Sequence, residues 1–155
     1  MKMERTIEDL IADLKSNDDF TREEAIGELE MKGDEVVDPL IEALSDRNKN
    51  VKIAAIQILA NIGDEKAIEP IIGTLKDPNK LVRREASTAL TNMGDAAVEP
   101  LIAVLDDPNW RVRGAACWAL GGLNAAEAVP KLEALLDDEK SFVRAGAEFA
   151  IKKLK

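Results

Sequence analysis

Residues 63–90 read GDEKAIEPIIGTLKDPNKLVRREASTAL, and this pattern returns about every 31 residues along the 155-residue chain. Prolines mark the repeat at positions Pro39, Pro70, Pro100 and Pro130. Basic residues mark it at Arg22, Lys52, Arg83, Arg113 and Arg144. Internal repeats of roughly 20–50 residues indicate a solenoid, because a single unit cannot bury its apolar face alone. The sequence therefore predicts an all-α fold, a right-handed α-solenoid.

Each unit is predicted to be a helical hairpin with a polar turn. In the first helix, AIEPIIGTL from Ala67, apolar residues recur at helical spacing, and proline falls in the first turn, where its missing N–H costs little. The second helix, VRREASTALTNM, ends before Gly94, which favours the left-handed conformation of a C-cap. Asn124 takes that place in the fourth unit. We predict a single domain, 1–155, of about five hairpins: 4–33, 34–63, 64–94, 95–124 and 125–155.

Composition argues against several classes of function. The net charge is −9, with 30 acidic and 21 basic residues, which disfavours nucleic-acid binding. The chain has no histidine, the residue most used in acid–base catalysis and metal binding, so we expect no enzyme activity and no cofactor. No apolar run is long enough to span a membrane. The charged start lacks a secretory signal and Cys117 is the single cysteine, so a cytoplasmic protein is expected.

An aspartate precedes each basic residue by six positions after the first unit. A structural ladder, in which each base bridges carboxylates and carbonyls of adjacent units, is the favoured interpretation of these pairs. The alternative is a row of bases for an anionic ligand. The pairs are Asp46–Lys52, Asp77–Arg83, Asp107–Arg113 and Asp138–Arg144.

These features resemble HEAT repeats, most closely the short HEAT-like repeats of the phycobilisome (PBS) lyase type. The resemblance lies in residues 63–90 and in the corresponding stretch of the next unit, which starts at Gly94. The family includes bilin lyase subunits, a di-iron hydroxylase with repeated His-Glu pairs, and small stand-alone archaeal and bacterial proteins. With no histidine, the chain is placed in the stand-alone class, which implies a non-catalytic protein–protein interaction or scaffold module. A lyase- or hydroxylase-like enzyme or subunit, and an engineered repeat scaffold, are the alternatives.

The resemblance also implies that the second helices line a concave face, where a protein or peptide partner would bind. Positions of the second helices outside the recurring alanine and leucine columns, Gly114 among them, are expected to face solvent there. Large aromatic residues next to small ones in the C-terminal half indicate a pocket-like patch on that face. Alternatively, Trp118 and Phe149 fill core space between units, or the patch mediates self-association as a homodimer. The candidate partner-binding residues are Trp118, Phe149, Trp110, Gly114, Gly122, Ala145, Ile53, Gln57, Arg84 and Thr88.

Overall fold

The computed structural model describes residues 4–155; residues 1–3 of the predicted domain lie outside the described residues. Within that range the chain forms α-helices and short 3-10 helices and no strand, which confirms the predicted all-α solenoid. The α-helices are α1 (Ile7–Asp13), α2 (Asp19–Met31), α3 (Val37–Ala43), α4 (Lys49–Ile62), α5 (Ile68–Gly73), α6 (Lys80–Asn92), α7 (Val98–Ala103), α8 (Trp110–Gly122), α9 (Val129–Ala134) and α10 (Ser141–Leu154).

Consecutive helices pack as five hairpins, α1 with α2 through to α9 with α10. The second helices of the hairpins also pack on one another in chain order, from α2 to α10. We call these five helices (α2, α4, α6, α8 and α10) the second-helix layer. Within this layer α8 and α10 make the most extensive contact, and α6 packs less closely on α8. The exact limits of the five units stay a prediction.

The ends of the second helices follow from local sequence. Side-chain oxygens of Asp18, Asn48, Asn79 and Asn109 accept hydrogen bonds from backbone N–H groups in the first turns of α2, α4, α6 and α8. Just after these helices the backbone turns left-handed, with φ of 66° at Gly33, 78° at Gly63, 77° at Gly94 and 57° at Asn124. The predicted left-handed positions, including the asparagine, are therefore confirmed.

The first helices are short and each follows a 3-10 turn, except α1, which begins with a capping box at Thr6. Proline lies in the first turn of the other four, as predicted; Pro39 is the third residue of α3 and Pro130 the second of α9. Because proline has no N–H to pair, it fits at a helix start and fixes where the helix can begin.

A single apolar core runs through the stack and is made almost wholly of aliphatic side chains. A column of fully buried alanines lies in the second-helix layer and lets neighbouring helices approach closely. Leucines four residues further on in the same helices are also fully buried. The two columns are Ala25, Ala55, Ala86, Ala116 and Ala147, and Leu29, Leu59, Leu90 and Leu120.

Candidate partner-binding surface

Four aromatic side chains lie on α8 and α10 and form two pairs. Trp110 meets Phe142 edge to face, with ring centroids 5.7 Å apart and planes at 79°. Trp118 stacks on Phe149, with centroids 4.4 Å apart and planes at 30°. The two tryptophans are eight residues apart on α8, about 12 Å along the helix axis. The pairs therefore lie along the line where α8 and α10 meet.

The Phe142 ring covers Gly114. A Cβ atom at Gly114 would overlap the Phe142 ring. The ring can therefore pack over the backbone of α8 at this point only because residue 114 has no side chain. Gly114 is buried as a result. The expectation that residue 114 faces solvent is wrong, because an aromatic side chain from the neighbouring unit closes over it.

Two further glycines make room for the second aromatic pair. A Cβ at Gly121 would lie 2.9 Å from Cε2 of Phe149, and a Cβ at Gly146 would lie 3.0 Å from Nε1 of Trp118. Real Cβ atoms essentially never make a contact as short as the first, and the second is shorter than nine in ten real Cβ contacts. Glycine at these positions therefore lets α8 and α10 approach closely enough to hold the stacked rings.

The stacked rings are at the surface and are not enclosed in the core. Trp118 is 37% exposed and Phe149 is 36% exposed, while Phe142 of the other pair is 40% exposed. Each of these rings packs on the helices and leaves part of its surface open to solvent. We call the partly exposed pair Trp118 and Phe149 the aromatic patch.

The other predicted residues are spread over four helices. Ala145 on α10 is exposed, and Gly122 at the end of α8 is half-buried beside Thr91. The remaining members lie on earlier helices: Thr88 and Arg84 on α6 are exposed, and Ile53 and Gln57 on α4 are half-buried. Since α6 separates α4 from α8 in the layer, Ile53 and Gln57 lie apart from the aromatic patch.

A groove of about 300 Å³ lies between α6 and α8. Its basic lining consists of Lys80, Arg83 and Arg84 on α6 and Arg111 on α8, and its aromatic lining consists of Trp110 and Phe142. We call this the α6–α8 groove. The sequence analysis selects Arg84 and Trp110 from it as partner-binding candidates, and Arg83 only in the alternative row of bases for an anionic ligand. The spacing of the three α6 cations, within five consecutive residues, was the signal that could have indicated a basic helix face.

The predicted ladder, in which a base links adjacent units, is present at two places in the stack: between the units of α4 and α6 and between those of α8 and α10. Lys52 Nζ donates to Asp77 Oδ2 at 2.6 Å, and Arg113 donates to both carboxylate oxygens of Asp138, at 3.0 and 3.1 Å. All four side chains are at most 16% exposed. The hydrogen bond from Arg113 lowers the pKa of Asp138 below its ordinary value, with backbone donation from Lys140 adding to the effect. Each of these bases therefore links its own unit to the turn of the next.

The step between α6 and α8 is different. Arg83 donates to the backbone carbonyls of Asp77 and Pro78, at 2.7 and 3.0 Å. Arg83 makes no ion pair with a carboxylate within residues 4–155, although Asp107 occupies the equivalent position in the next turn. The charge of Arg83 is consequently left facing the α6–α8 groove.

Cys117 lies beside the aromatic patch but is fully buried. Burial, with a contribution from the charge of Asp138, raises the pKa of its thiol to about 12. The thiol is therefore protonated at neutral pH and a poor nucleophile. In the described part of the chain, no group of three or more His, Cys, Asp or Glu side chains is placed to hold a metal ion.

Comparison with known proteins gives a family and several structural relatives. The family of HEAT repeats matches residues 7–75 and 68–152. A chain from the complex of CpcE and CpcF of phycocyanin lyase from Nostoc sp. PCC7120 is 28% identical, with a TM-score of 0.58 over 99% of this chain. The present chain spans 66% of the length of that lyase chain. No match was found among curated proteins.

Designed and engineered proteins are among the structural matches at lower identity. A designed armadillo repeat protein in complex with the peptide (KR)4 is 22% identical, with a TM-score of 0.48 over 96% of this chain and 82% of its own. An engineered protein of a structural genomics programme has 22% identity and a TM-score of 0.49, over 96% and 81% of the two chains.

Among residues 4–155, none of the helices has the length and apolar character needed to cross a bilayer.

Proposed function

Because this chain belongs to the HEAT-repeat family, whose units stack to present an extended surface, we propose that it is a non-catalytic module that binds a protein or peptide on its second-helix layer. The observation that carries this proposal is the aromatic patch. Trp118 and Phe149 are each more than one third exposed, yet they are held in a fixed stack by the close approach of α8 and α10. Aromatic residues are enriched in protein interfaces, and tryptophan is among the residues enriched at binding hot spots.

The surroundings of the aromatic patch support its use as a contact surface. Ala145 is exposed on α10, and Gly122 is half-buried at the end of α8, so no bulky side chain at either position shields the rings. The rings are ordered by packing before any partner arrives, so binding would cost little side-chain entropy. Ile53, Gln57 and Thr88 would extend the same layer towards the N-terminal units.

The absence of catalysis is part of the proposal. The chain has no histidine, and its one cysteine is buried and protonated at neutral pH. A nucleophile or general base would have to come from hydroxyls, carboxylates or lysines, and the two rings of the aromatic patch supply none of these. A cytoplasmic location and the lack of a nucleic-acid partner are proposed with it, the latter because the protein carries a net charge of −9.

Affinity capture with matched variants tests the proposal. The immobilised wild type is compared with the Trp118→Ala/Phe149→Ala variant in lysate from the source cells, and the captured protein is then titrated by calorimetry. Each ring should contribute more than about 1 kcal/mol to binding. The control is Phe20→Ala, which removes a 72% exposed aromatic residue on α2, away from the patch.

The outcomes separate the alternatives for these rings. Capture by wild type and Phe20→Ala, but not by the double variant of equal helicity, would support a binding module with its site at the patch. Loss of helical structure in the double variant would show that the rings serve the core. Concentration-dependent dimerisation that the double variant abolishes would identify a homodimer contact.

A second candidate follows from the lyase chain of the CpcE–CpcF complex, which is 28% identical to this protein. The protein would then act as one subunit of a lyase-like enzyme and depend on a second chain for activity. Visible absorbance of the purified protein, with and without added chromophore, tests this candidate. A bound chromophore would favour the lyase-like role over the non-catalytic one.

A further inference from the structure

The α6–α8 groove reverses the charge of the protein locally. The chain carries a net charge of −9, yet four cations line the groove: Lys80, Arg83, Arg84 and Arg111. No acidic side chain within residues 4–155 lines it. A basic lining in an acidic protein attracts anionic groups to this site and not to the surface in general.

Two guanidinium groups of the groove, those of Arg84 and Arg111, make no hydrogen bond or ion pair within residues 4–155 and can bind a ligand. Arg83 is held by two backbone carbonyls, and Arg111 lies 4.8 Å from the centroid of the Trp110 ring. Arg84 is exposed and makes no hydrogen bond or ion pair to any other described side chain. In contrast, Lys52 and Arg113, the bases at other steps of the stack, are paired with carboxylates.

The same groove has an apolar part. Trp110 and Phe142 meet edge to face beside Leu75 and Ala115. The volume of about 300 Å³ is at the lower end of the range for binding pockets and is enough for one large side chain. The groove therefore combines a place for one apolar side chain with cations around it.

From this combination we infer that the α6–α8 groove binds an acidic peptide segment that carries a large apolar side chain between its carboxylates. Carboxylates suit the groove because the planar guanidinium groups of Arg84 and Arg111 can each donate two parallel hydrogen bonds. The apolar side chain would pack on Trp110 and Phe142. A nucleic acid fits less well, since its charge extends beyond the groove and the protein as a whole carries a net charge of −9. This inference rests on the proposed function, because it names the chemistry of the bound segment.

Fluorescence anisotropy with defined probes tests the inference. The probe is a fluorescein-labelled peptide of three Glu-Glu-Leu repeats, and its counterpart has lysine in place of every glutamate. The acidic peptide should bind and lose affinity as salt is raised, while the basic peptide should not bind. Arg84→Gln/Arg111→Gln should weaken binding about tenfold. Arg47→Gln/Lys131→Gln, which removes two exposed charges outside the groove, should leave the affinity unchanged.

The two tryptophans of the chain report where the peptide binds. In ¹H–¹⁵N spectra the indole N–H of Trp110 should shift on addition of the acidic peptide, while that of Trp118 in the aromatic patch should not. The capture experiment from lysate depends instead on the Trp118 and Phe149 rings. Capture that depends on those rings, with no shift at Trp110, would keep the proposed function and remove the acidic-peptide inference.

Four results would overturn the inference. The first is that the acidic peptide binds the wild-type protein with a Kd weaker than about 1 mM at low salt. The second is equal affinity in Arg84→Gln/Arg111→Gln and wild type. The third is tighter binding of a single-stranded oligonucleotide. The fourth is self-association that the same double variant abolishes, which would make a second copy of the chain the occupant of the groove.

Discussion

Replacing Gly146 by alanine should destabilise the protein, although alanine is the better helix former. In α10 the substitution gains up to about 1 kcal/mol from helix propensity. The new Cβ would lie 3.0 Å from both Cys117 Cβ and Trp118 Nε1, and 3.1 Å from the carbonyl oxygen of Gly114. That oxygen belongs to the backbone of α8, so it cannot withdraw unless the two helices separate. Such overpacking costs about 1–3 kcal/mol, which leaves a net loss of about 1 kcal/mol.

Gly27→Ala is the matched control. Gly27 lies in the middle of α2 and is exposed, and a Cβ added there would have no neighbouring atom within 4 Å. The gain in helix propensity is unopposed at this position, and the free energy of unfolding should rise by about 0.5–1 kcal/mol. The two Gly→Ala variants should therefore differ by about 2 kcal/mol, in opposite directions from wild type.

Urea unfolding followed by far-UV circular dichroism measures both changes. The midpoint should fall for Gly146→Ala and rise for Gly27→Ala, with the slopes unchanged. Thermal unfolding should show a decrease in Tm of about 3 °C for Gly146→Ala. If Gly146→Ala were as stabilising as Gly27→Ala, there would be room for a methyl group between α8 and α10, and the argument that glycine permits the aromatic stack would be refuted.

Three further predictions concern the ladder, the thiol and the left-handed turn. Asp138→Asn keeps a side-chain oxygen that can accept the hydrogen bond of the turn but removes the ion pair with Arg113. The free energy of unfolding should fall by about 2 kcal/mol, a value between those of exposed and buried ion pairs. The control Asp107→Asn, at a position without an ion pair in the described structure, should change it little. Because the folded-state pKa of Asp138 is lowered, its contribution is present above about pH 4 and is lost as the pH falls below that value, so urea midpoints of wild type and Asp138→Asn should converge in acid. Cys117 should react with a disulfide reagent at pH 8 only as fast as the protein unfolds, and rapid labelling of the native protein would contradict its burial. Asn124 has a φ of 57°, which alanine adopts only with strain. Asn124→Ala should therefore lower the free energy of unfolding by about 1 kcal/mol, whereas Asn124→Gly should not, and thermal unfolding measures both.

Features that depend on local sequence could be predicted without the structure. Proline at the start of a helix and a left-handed residue after its end are constraints on the backbone of that residue alone. The positions of Pro39 and Pro130, and the replacement of glycine by Asn124, were therefore readable from the repeat. The fold class follows from the same constraints, because they recur at a fixed interval.

Features that depend on the distance between helices could not be predicted. Gly114 was expected to face solvent, since its position in the repeat lies outside the buried columns. It is buried because Phe142, from the next unit, lies over it. The α6–α8 groove was missed for a similar reason. The repeat gives Arg83 and Arg113 equivalent positions, but only Arg113 reaches the carboxylate of the following turn.

The ion pairs also give the stack a direction. In each pair a base points forward along the chain, from Lys52 to Asp77 and from Arg113 to Asp138, and the receiving aspartate also accepts a backbone hydrogen bond that fixes its own turn. Arg144 occupies the same position in α10 and donates only to a backbone carbonyl within its own unit in the described structure. In a repeat of the same kind grafted beyond α10, the turn aspartate would meet a guanidinium group at the position from which Arg113 reaches Asp138. The chain therefore already carries a base at the position that links one unit to the next.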